Sequence, residues 1–220
     1  MRTSREIYEK YNIMLALQLH QLRVAAVGKF ICENFEQPIN KNDVILACLF
    51  HDMGNIIKFD LSVFPEFLEP EGREYWQGVK DEYVKKYGTD HHVANTAIAR
   101  EIGLPQAAVA CIEGIGFRKT VFVVEHPSFE RKICQYADLR VGPHGVLSME
   151  ERIQEGRKRY IERQDMAADV AAPQQEFDAV LHTARRLEKQ IFTNANIQPG
   201  DITDKAIASL IEELQNYSVA

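Results

Sequence analysis

The sequence predicts an all-α fold, and three observations support that prediction. Apolar residues recur at helical spacing in nearly every periodic segment. Glycines and prolines fall where helices would begin or end. The single strand-like run, residues 120–124 (TVFVV), is too short and isolated to build a sheet. The length of 220 residues and the hydrophobic fraction of 45% are typical of one globular domain, or of one domain with an appendage.

The first half of the chain contains the most apolar predicted helices. Residues 14–35 are apolar around the whole helix circumference, which is typical of a buried central helix. A second helix is predicted to begin at an asparagine cap, Asn40 or Asn42, and to end near Gly54. Residues 61–70 contain two prolines and are predicted to form an irregular loop. Further helices are predicted at residues 71–87, 90–102, 105–113, 128–141, 148–164, 173–192 and 203–217.

The alanine-rich stretch 166–172 is the predicted joint between two parts of the chain. Residues 1–165 form the predicted main bundle, and residues 166–220 form a C-terminal extension of two helices, each with an apolar stripe. Two helices cannot bury both stripes alone. We expect the extension to pack back on the bundle, with an oligomer contact, such as a homodimer, as the alternative.

Charge and cysteine content narrow the classes of partner. The chain has 26 basic and 32 acidic residues, a net charge of −6, which argues against duplex nucleic acid and anionic membranes as main partners. The four cysteines form no C-x-x-C pair and have mostly apolar neighbours, so we expect reduced thiols. With no apolar run of about 20 residues, a cytoplasmic protein is expected.

Four polar residues stand out because they interrupt apolar helices. His20 lies mid-helix among leucines, His51 and Asp52 are adjacent at the end of the second helix, and Asp138 lies within ICQYADLRV. Taken singly, each residue is more typical of a hydrogen-bonded core histidine, a helix cap or a salt bridge. Together, two imidazoles and two carboxylates from three helices form a mixed N/O donor set that suits a divalent metal. A cation would also explain why two aspartates are buried near each other.

These residues, in this order, resemble the H…HD…D signature of the HD-domain superfamily of metal-dependent phosphohydrolases. The local matches are LHQLRVA, ACLFHDMGN and KICQYADLRV, and the resemblance covers residues 14–152. It implies a helical bundle in which His20, His51, Asp52 and Asp138 hold one divalent transition metal. Mn, Fe, Ni, Co and Zn all fit this donor set, and Mg is left open. Asp52 and Asp138 would also accept the proton of the attacking water.

The segment HHVANTAIAREIGLP is similar to a family element in which a histidine begins a helix. His91 takes that position, and in relatives with two metals this histidine and a later histidine pair help to bind the second ion. The corresponding region here, CIEGIGFRKT, contains no histidine. We therefore expect one metal, with His91 in a catalytic position near the substrate phosphate or at a weak second metal site. The alternative is that His91 and His92 lie at the start of a helix without a role in binding or catalysis.

Five residues are candidates for substrate binding, each with a simpler alternative. Lys58 and His92 could reach a phosphate, although a solvent-facing lysine is equally consistent with the sequence. Arg118 and Lys119 occupy the loop that replaces the histidine pair, where flexible cations can recognise an anion or remain solvated. Arg140 points about 200° away from Asp138 on a helix, so it is expected to pair with Glu150 or Glu151 rather than face the metal, with phosphate binding as the alternative.

The sequence therefore predicts a phosphomonoesterase or phosphodiesterase that acts on a nucleotide or another small phosphorylated metabolite. Some nucleotidase relatives carry a glutamate where this chain has Asn55, three residues after Asp52. That departure and the missing histidine pair support a second hypothesis, a regulatory module that binds a metal or nucleotide without turnover. A di-iron oxygenase is a third, smaller alternative, which would need two metals per chain.

Overall fold

Eleven α-helices dominate this computed structural model, which describes residues 2–163 and 171–219. The helices are α1 (Ser4–Lys10), α2 (Leu15–Glu33), α3 (Lys41–Phe50), α4 (Gly72–Tyr87), α5 (His91–Ile102), α6 (Gln106–Gly114), α7 (Thr120–Val123), α8 (Phe129–Asp138), α9 (Met149–Arg163), α10 (Ala171–Phe192) and α11 (Asp204–Leu214). Short 3-10 helices lie at Asn55–Lys58, Pro65–Leu68, Phe117–Lys119 and Pro199–Asp201. Two short strands, β1 (Arg2–Thr3) and β2 (Ser218–Val219), pair antiparallel at the termini. The all-α prediction is confirmed.

Local capping explains where several helices begin and end. The side chain of Asn40 accepts a hydrogen bond from the Asp43 N–H at the start of α3. Asp90 accepts hydrogen bonds from two N–H groups in the first turn of α5. Gly103 ends α5 at a φ of +89°, a left-handed conformation that favours glycine. These caps fix the ends of α3 and α5, the two helices that lead into and out of the candidate site.

Helices α2, α3 and α8 pack against one another in the centre of the molecule. Gly28 makes the close approach of α2 possible, because a Cβ there would lie 3.2 Å from both Cys48 Sγ and Val44 Cγ1. The surrounding residues Val24, Ile31, Leu49 and Ile133 have almost no exposed surface. The three helices that carry His20, His51 and Asp138 are therefore held rigidly together.

The strand-like run at residues 120–124 forms no sheet, and residues 120–123 of it are helical. Thr120 and Val123 are buried on one face of the single-turn helix α7. The Thr120 hydroxyl donates to the Phe117 carbonyl at 2.8 Å and accepts from Gln135 Nε2 at 3.0 Å. These contacts to α8 and to the preceding turn override the β propensity of a short valine-rich sequence.

The C-terminal helices lie on the bundle. Helix α11 packs along α2, and α10 packs against α7, α8 and α9. Val180, Leu187, Ile207 and Leu214 join the same buried core as the central helices. Residues 166–170 of the expected joint lie outside the described residues, so the division into 1–165 and 166–220 stays a prediction. No helix in the described ranges is long and apolar enough to cross a membrane.

Candidate metal centre

Four candidate ligands meet where α2, α3 and α8 converge. His20 lies in the second turn of α2, His51 follows the last residue of α3, and Asp138 is the last residue of α8. His51 Nε2 lies 3.5 Å from both Asp52 Oδ2 and Asp138 Oδ1. His20 Nε2 lies 3.7 Å and 3.4 Å from the same two oxygens. The structure thus brings together all four residues that the sequence singled out.

The orientation of His51 fits a metal ligand. Its Nδ1–H donates to the Cys48 carbonyl at 2.8 Å, which fixes the tautomer and directs the lone pair of Nε2 into the centre. Nε2 is fully buried and has no hydrogen-bond partner among the described residues. A buried polar atom without a partner is costly. A bound cation would satisfy it.

The spacing of the donor atoms also fits one ion. Ligand atoms of His20, His51 and Asp52 all lie within 4.8 Å of one another. The N···O separations of 3.4–3.7 Å are long for charge-assisted hydrogen bonds. They match the distance between neighbouring ligands on one ion with bonds of about 2.0–2.2 Å. The donor set of two nitrogens and two oxygens suits a divalent transition metal.

Without a metal, the carboxylates would hold a proton on His51. Burial opposes the charged form of His51, but Asp52 and Asp138 outweigh it and raise the pKa of His51 from 6.5 to about 9. Burial likewise acts to raise the pKa of Asp138, yet the neighbouring imidazoles of His20 and His51 keep that pKa well below its usual value. The centre is therefore built to balance two negative charges with positive ones, whether protons or a cation.

The four ligands line a cavity of about 580 Å³. Helices, 3-10 turns and loops from most of the chain line it. Beside the four ligands, its polar lining includes Asn55, Lys58, His91, His92, Asn95, Arg118, Lys119, Arg152, Arg159 and Glu176. The apolar lining includes Met14, Leu17, Phe59, Phe64, Phe67, Ile115, Phe117, Val141 and Phe177.

Comparison with known families agrees with this geometry. Residues 18–138, more than half of the chain, match the family model of the HD domain. The chain belongs to the HD-domain family. HD domains bind divalent metals and are typically metal-dependent hydrolases, so the family resemblance read from the motifs is confirmed. Neither a search of curated proteins nor a search of solved structures found a match.

Two amide side chains that the sequence reasoning missed position the His-Asp pair of this HD domain. Gln21, fully buried on α2, accepts a hydrogen bond from the Asp52 N–H at 3.1 Å. Asn95 on α5 accepts from the Gly54 N–H at 2.6 Å and is also buried. A signal existed for Gln21, because it is a polar residue beside His20 in an otherwise apolar helix. Asn95 follows His91 by one helical turn, which places both on the same face.

His91 and His92 line the cavity beside the metal centre, with ring centroids 4.0 Å apart. Burial, with Lys58 and His92 nearby, lowers the pKa of His91 to about 4. Burial, together with Lys119 and Lys58, also lowers the pKa of His92. His91 is thus a neutral imidazole at neutral pH and can donate a hydrogen bond to a phosphate.

The cationic candidates divide into two groups. Lys58, Arg118 and Lys119 line the cavity. Arg140 does not, because it lies buried on the far side of the α8 turn. Its guanidinium donates hydrogen bonds of 2.5–3.1 Å to the carbonyls of Leu147, Pro199 and Ile202 and to the Tyr136 hydroxyl. The structure therefore gives Arg140 a role in holding the C-terminal segment. It supports neither phosphate binding nor the expected pairing with Glu150 or Glu151.

Proposed function

We propose that this HD domain hydrolyses a phosphate ester of a nucleotide or small metabolite, with one divalent metal held by His20, His51, Asp52 and Asp138. The observation that carries the proposal is the buried, unpartnered Nε2 of His51, which lies 3.5 Å from two carboxylates in a cavity lined by cationic side chains. Family membership supports the same reaction class.

In the proposed reaction, the carboxylates at the metal centre accept the proton of the water, and buried amides position them. A bound divalent cation lowers the pKa of a water and polarises a phosphoryl oxygen. Asp52 and Asp138 are each about one-fifth exposed to the cavity, so a free carboxylate oxygen can accept the proton of the attacking water. Gln21 and Asn95 hold the backbone around Asp52, which keeps that oxygen in place.

The phosphate would lie between the centre and the cationic side of the cavity. Neutral His91 donates a hydrogen bond to a phosphoryl oxygen, while Lys58 and Lys119 offset the negative charge that develops there. Lys58 is exposed and can reach inward without breaking a structural contact. A phosphoryl group bound this way would also raise the pKa of His91 towards its ordinary value.

A single metal fits the residues around His92. Gly116, at a φ of +153°, passes so close that a Cβ there would lie 3.3 Å from His92 Cε1 and 3.4 Å from Lys119 Cδ. A lysine and a glycine thus occupy the side of His91 and His92 where a second ion would need further ligands. A positive side chain at this place favours a phosphate over a second cation.

Phosphate release from a panel of nucleoside monophosphates, sugar phosphates and phosphodiesters tests the proposal. We expect turnover by the metal-loaded protein and its loss in Asp138→Asn, with the circular-dichroism spectrum retained. Asp81→Asn, on the exposed face of α4, is the matched control and should keep wild-type activity. Full activity of a metal-free Asp138→Asn protein would refute the proposal.

A second candidate function is a binding module without turnover, and Asn55 favours it. This side chain lines the cavity, is almost fully buried, and its carbonyl faces the Asn95 amide at 3.4 Å. An amide cannot take a proton from water as a glutamate can. Binding of a nucleotide with a raised melting temperature, and no hydrolysis of any ester in the panel, would favour this candidate.

A further inference from the structure

Aromatic as well as polar residues line the cavity that contains the metal centre. The rings of His91 and His92 have centroids 4.0 Å apart, and a Cβ at Gly116 would lie 3.3 Å from His92 Cε1. The residue after Gly116 in this loop is Phe117, which also lines the cavity. A ligand that extends along this lining from the metal centre would therefore contact Phe117.

Phe117 is paired with an aromatic residue from the C-terminal extension. Its ring centroid lies 4.7 Å from that of Phe177 on α10, with the planes tilted by 47°. An ion pair between Arg118 and Glu176, the residues beside the two rings, fastens the turn Phe117–Lys119 to α10. Both rings line the cavity.

A buried side chain of α8 fixes the loop that carries Phe117. Gln135, fully buried on α8, accepts a hydrogen bond from the Gly116 N–H at 2.9 Å. Gln135 lies three residues before Asp138, so α8 sets the position of the loop and of a metal ligand together.

We propose that Phe117 and Phe177 form a subsite for a planar ring carried by the leaving group of the substrate, either a nucleobase or an aryl ring. Aromatic side chains bind planar rings by stacking and edge-to-face contacts, with little dependence on the identity of the ring. Phe177 lies outside residues 18–138, the part that matches the HD domain. The C-terminal extension would thus set substrate specificity in this chain.

The assignment of the ring to a leaving group rests on the proposed function, but ring binding itself does not. The first experiment therefore uses metal-free protein and ligands without phosphate. Calorimetric titration compares adenosine, 4-nitrophenol and ribose, on wild-type protein and on Phe177→Leu and Phe177→Tyr. Phe122→Leu is the matched control, because Phe122 is 75% exposed on α7 and does not line the cavity.

We expect adenosine, 4-nitrophenol or both to bind where ribose does not. Phe177→Leu keeps the apolar volume and removes the ring, and should weaken that binding by about tenfold, the effect of one lost aromatic contact. Phe177→Tyr and Phe122→Leu should remain within about twofold of wild type. Which of the two ligands binds distinguishes a nucleobase site from an aryl site. Equal affinity of Phe177→Leu and wild type, or no ring binding by wild type, would overturn the inference. Loss in Phe67→Leu instead would place the ring elsewhere and overturn it as well.

Turnover by the metal-loaded enzyme separates this inference from the proposed function. Adenosine 5′-monophosphate and ribose 5-phosphate differ only in the base, and 4-nitrophenyl phosphate supplies the aryl ester. Phe177→Leu should raise KM for the ring-bearing ester by about tenfold and leave ribose 5-phosphate unchanged. Ring binding without any hydrolysis would refute the hydrolase and keep the subsite. If the enzyme hydrolyses both the ring-bearing and the ring-free ester, and Phe177→Leu impairs both reactions equally, the hydrolase is kept and the subsite is refuted.

Discussion

Replacing Gly54 with alanine tests how tightly the His-Asp pair is fixed by α5. An alanine Cβ at this position would lie 2.5 Å from Ala94 Cβ and 3.1 Å from Asn95 Oδ1. Carbon atoms in contact are about 3.5–4.0 Å apart, so α5 and the turn after α3 must separate by roughly 1 Å. Ala94 is fully buried, which leaves no flexible side chain to absorb the shift.

Overpacking of this kind costs about 1–3 kcal/mol. Separation would also lengthen the hydrogen bond from the Gly54 N–H to Asn95, now 2.6 Å. We expect the free energy of unfolding to fall by about 2–3 kcal/mol, which corresponds to a melting temperature lower by roughly 4–12 °C. Because the hydrogen bond to Asn95 holds the backbone next to Asp52, metal affinity should also fall, by about tenfold or more.

Gly78→Ala is the matched control for this substitution. Gly78 lies within α4, and a Cβ there would meet nothing within 4 Å. The same exchange should therefore stabilise the protein, by up to about 1 kcal/mol, through helix propensity alone. Urea unfolding of the metal-free proteins and metal titration measure both effects. An unfolding free energy of Gly54→Ala equal to or above that of wild type would refute the packing argument.

Three further predictions concern charge and hydrogen bonding. Since the carboxylates raise the pKa of His51 to about 9, metal must displace a proton below that pH. Metal affinity measured by competition with a chelator should rise with pH up to about 9. The metal-free protein should lose stability between pH 6.5 and 9, as His51 loses its proton. A metal affinity that does not change with pH would contradict this prediction. Gln21→Leu removes the acceptor for the Asp52 N–H and should lower metal affinity by about 10–100-fold without unfolding the protein; unchanged affinity in the same titration would exclude a positioning role. Arg140→Ala should cost about 3 kcal/mol in urea unfolding, because it leaves buried carbonyls unpaired. The KM of this variant for any phosphate ester should stay near the wild-type value. A large rise in KM would instead indicate that Arg140 binds the substrate.

The metal ligands were accessible from the sequence because they are polar residues in apolar helices. His20 and Asp138 lie on helices whose positions follow from hydrophobic periodicity, and such helices pack in few ways. The residues around them were harder to place. Arg140 follows Asp138 by two positions, but only the structure shows the three carbonyls that bind its guanidinium.

The contact between Phe117 and Phe177 could not be predicted from one sequence. Phe117 and Phe177 are 60 positions apart, and their contact depends on how α10 lies over the bundle. The helical conformation of residues 120–123 could not be predicted for a related reason, since Thr120 is held there by hydrogen bonds to Phe117 and Gln135. Local propensity carries no information about either contact.

Metal content per chain is the most direct test of the central claim, that four residues from three helices hold one divalent ion. Elemental analysis of protein purified without a histidine tag should find about one transition metal per wild-type chain. Asp138→Asn should lose it, and Asp81→Asn should retain it. No metal after reconstitution, or equal metal in wild type and Asp138→Asn, would contradict the account.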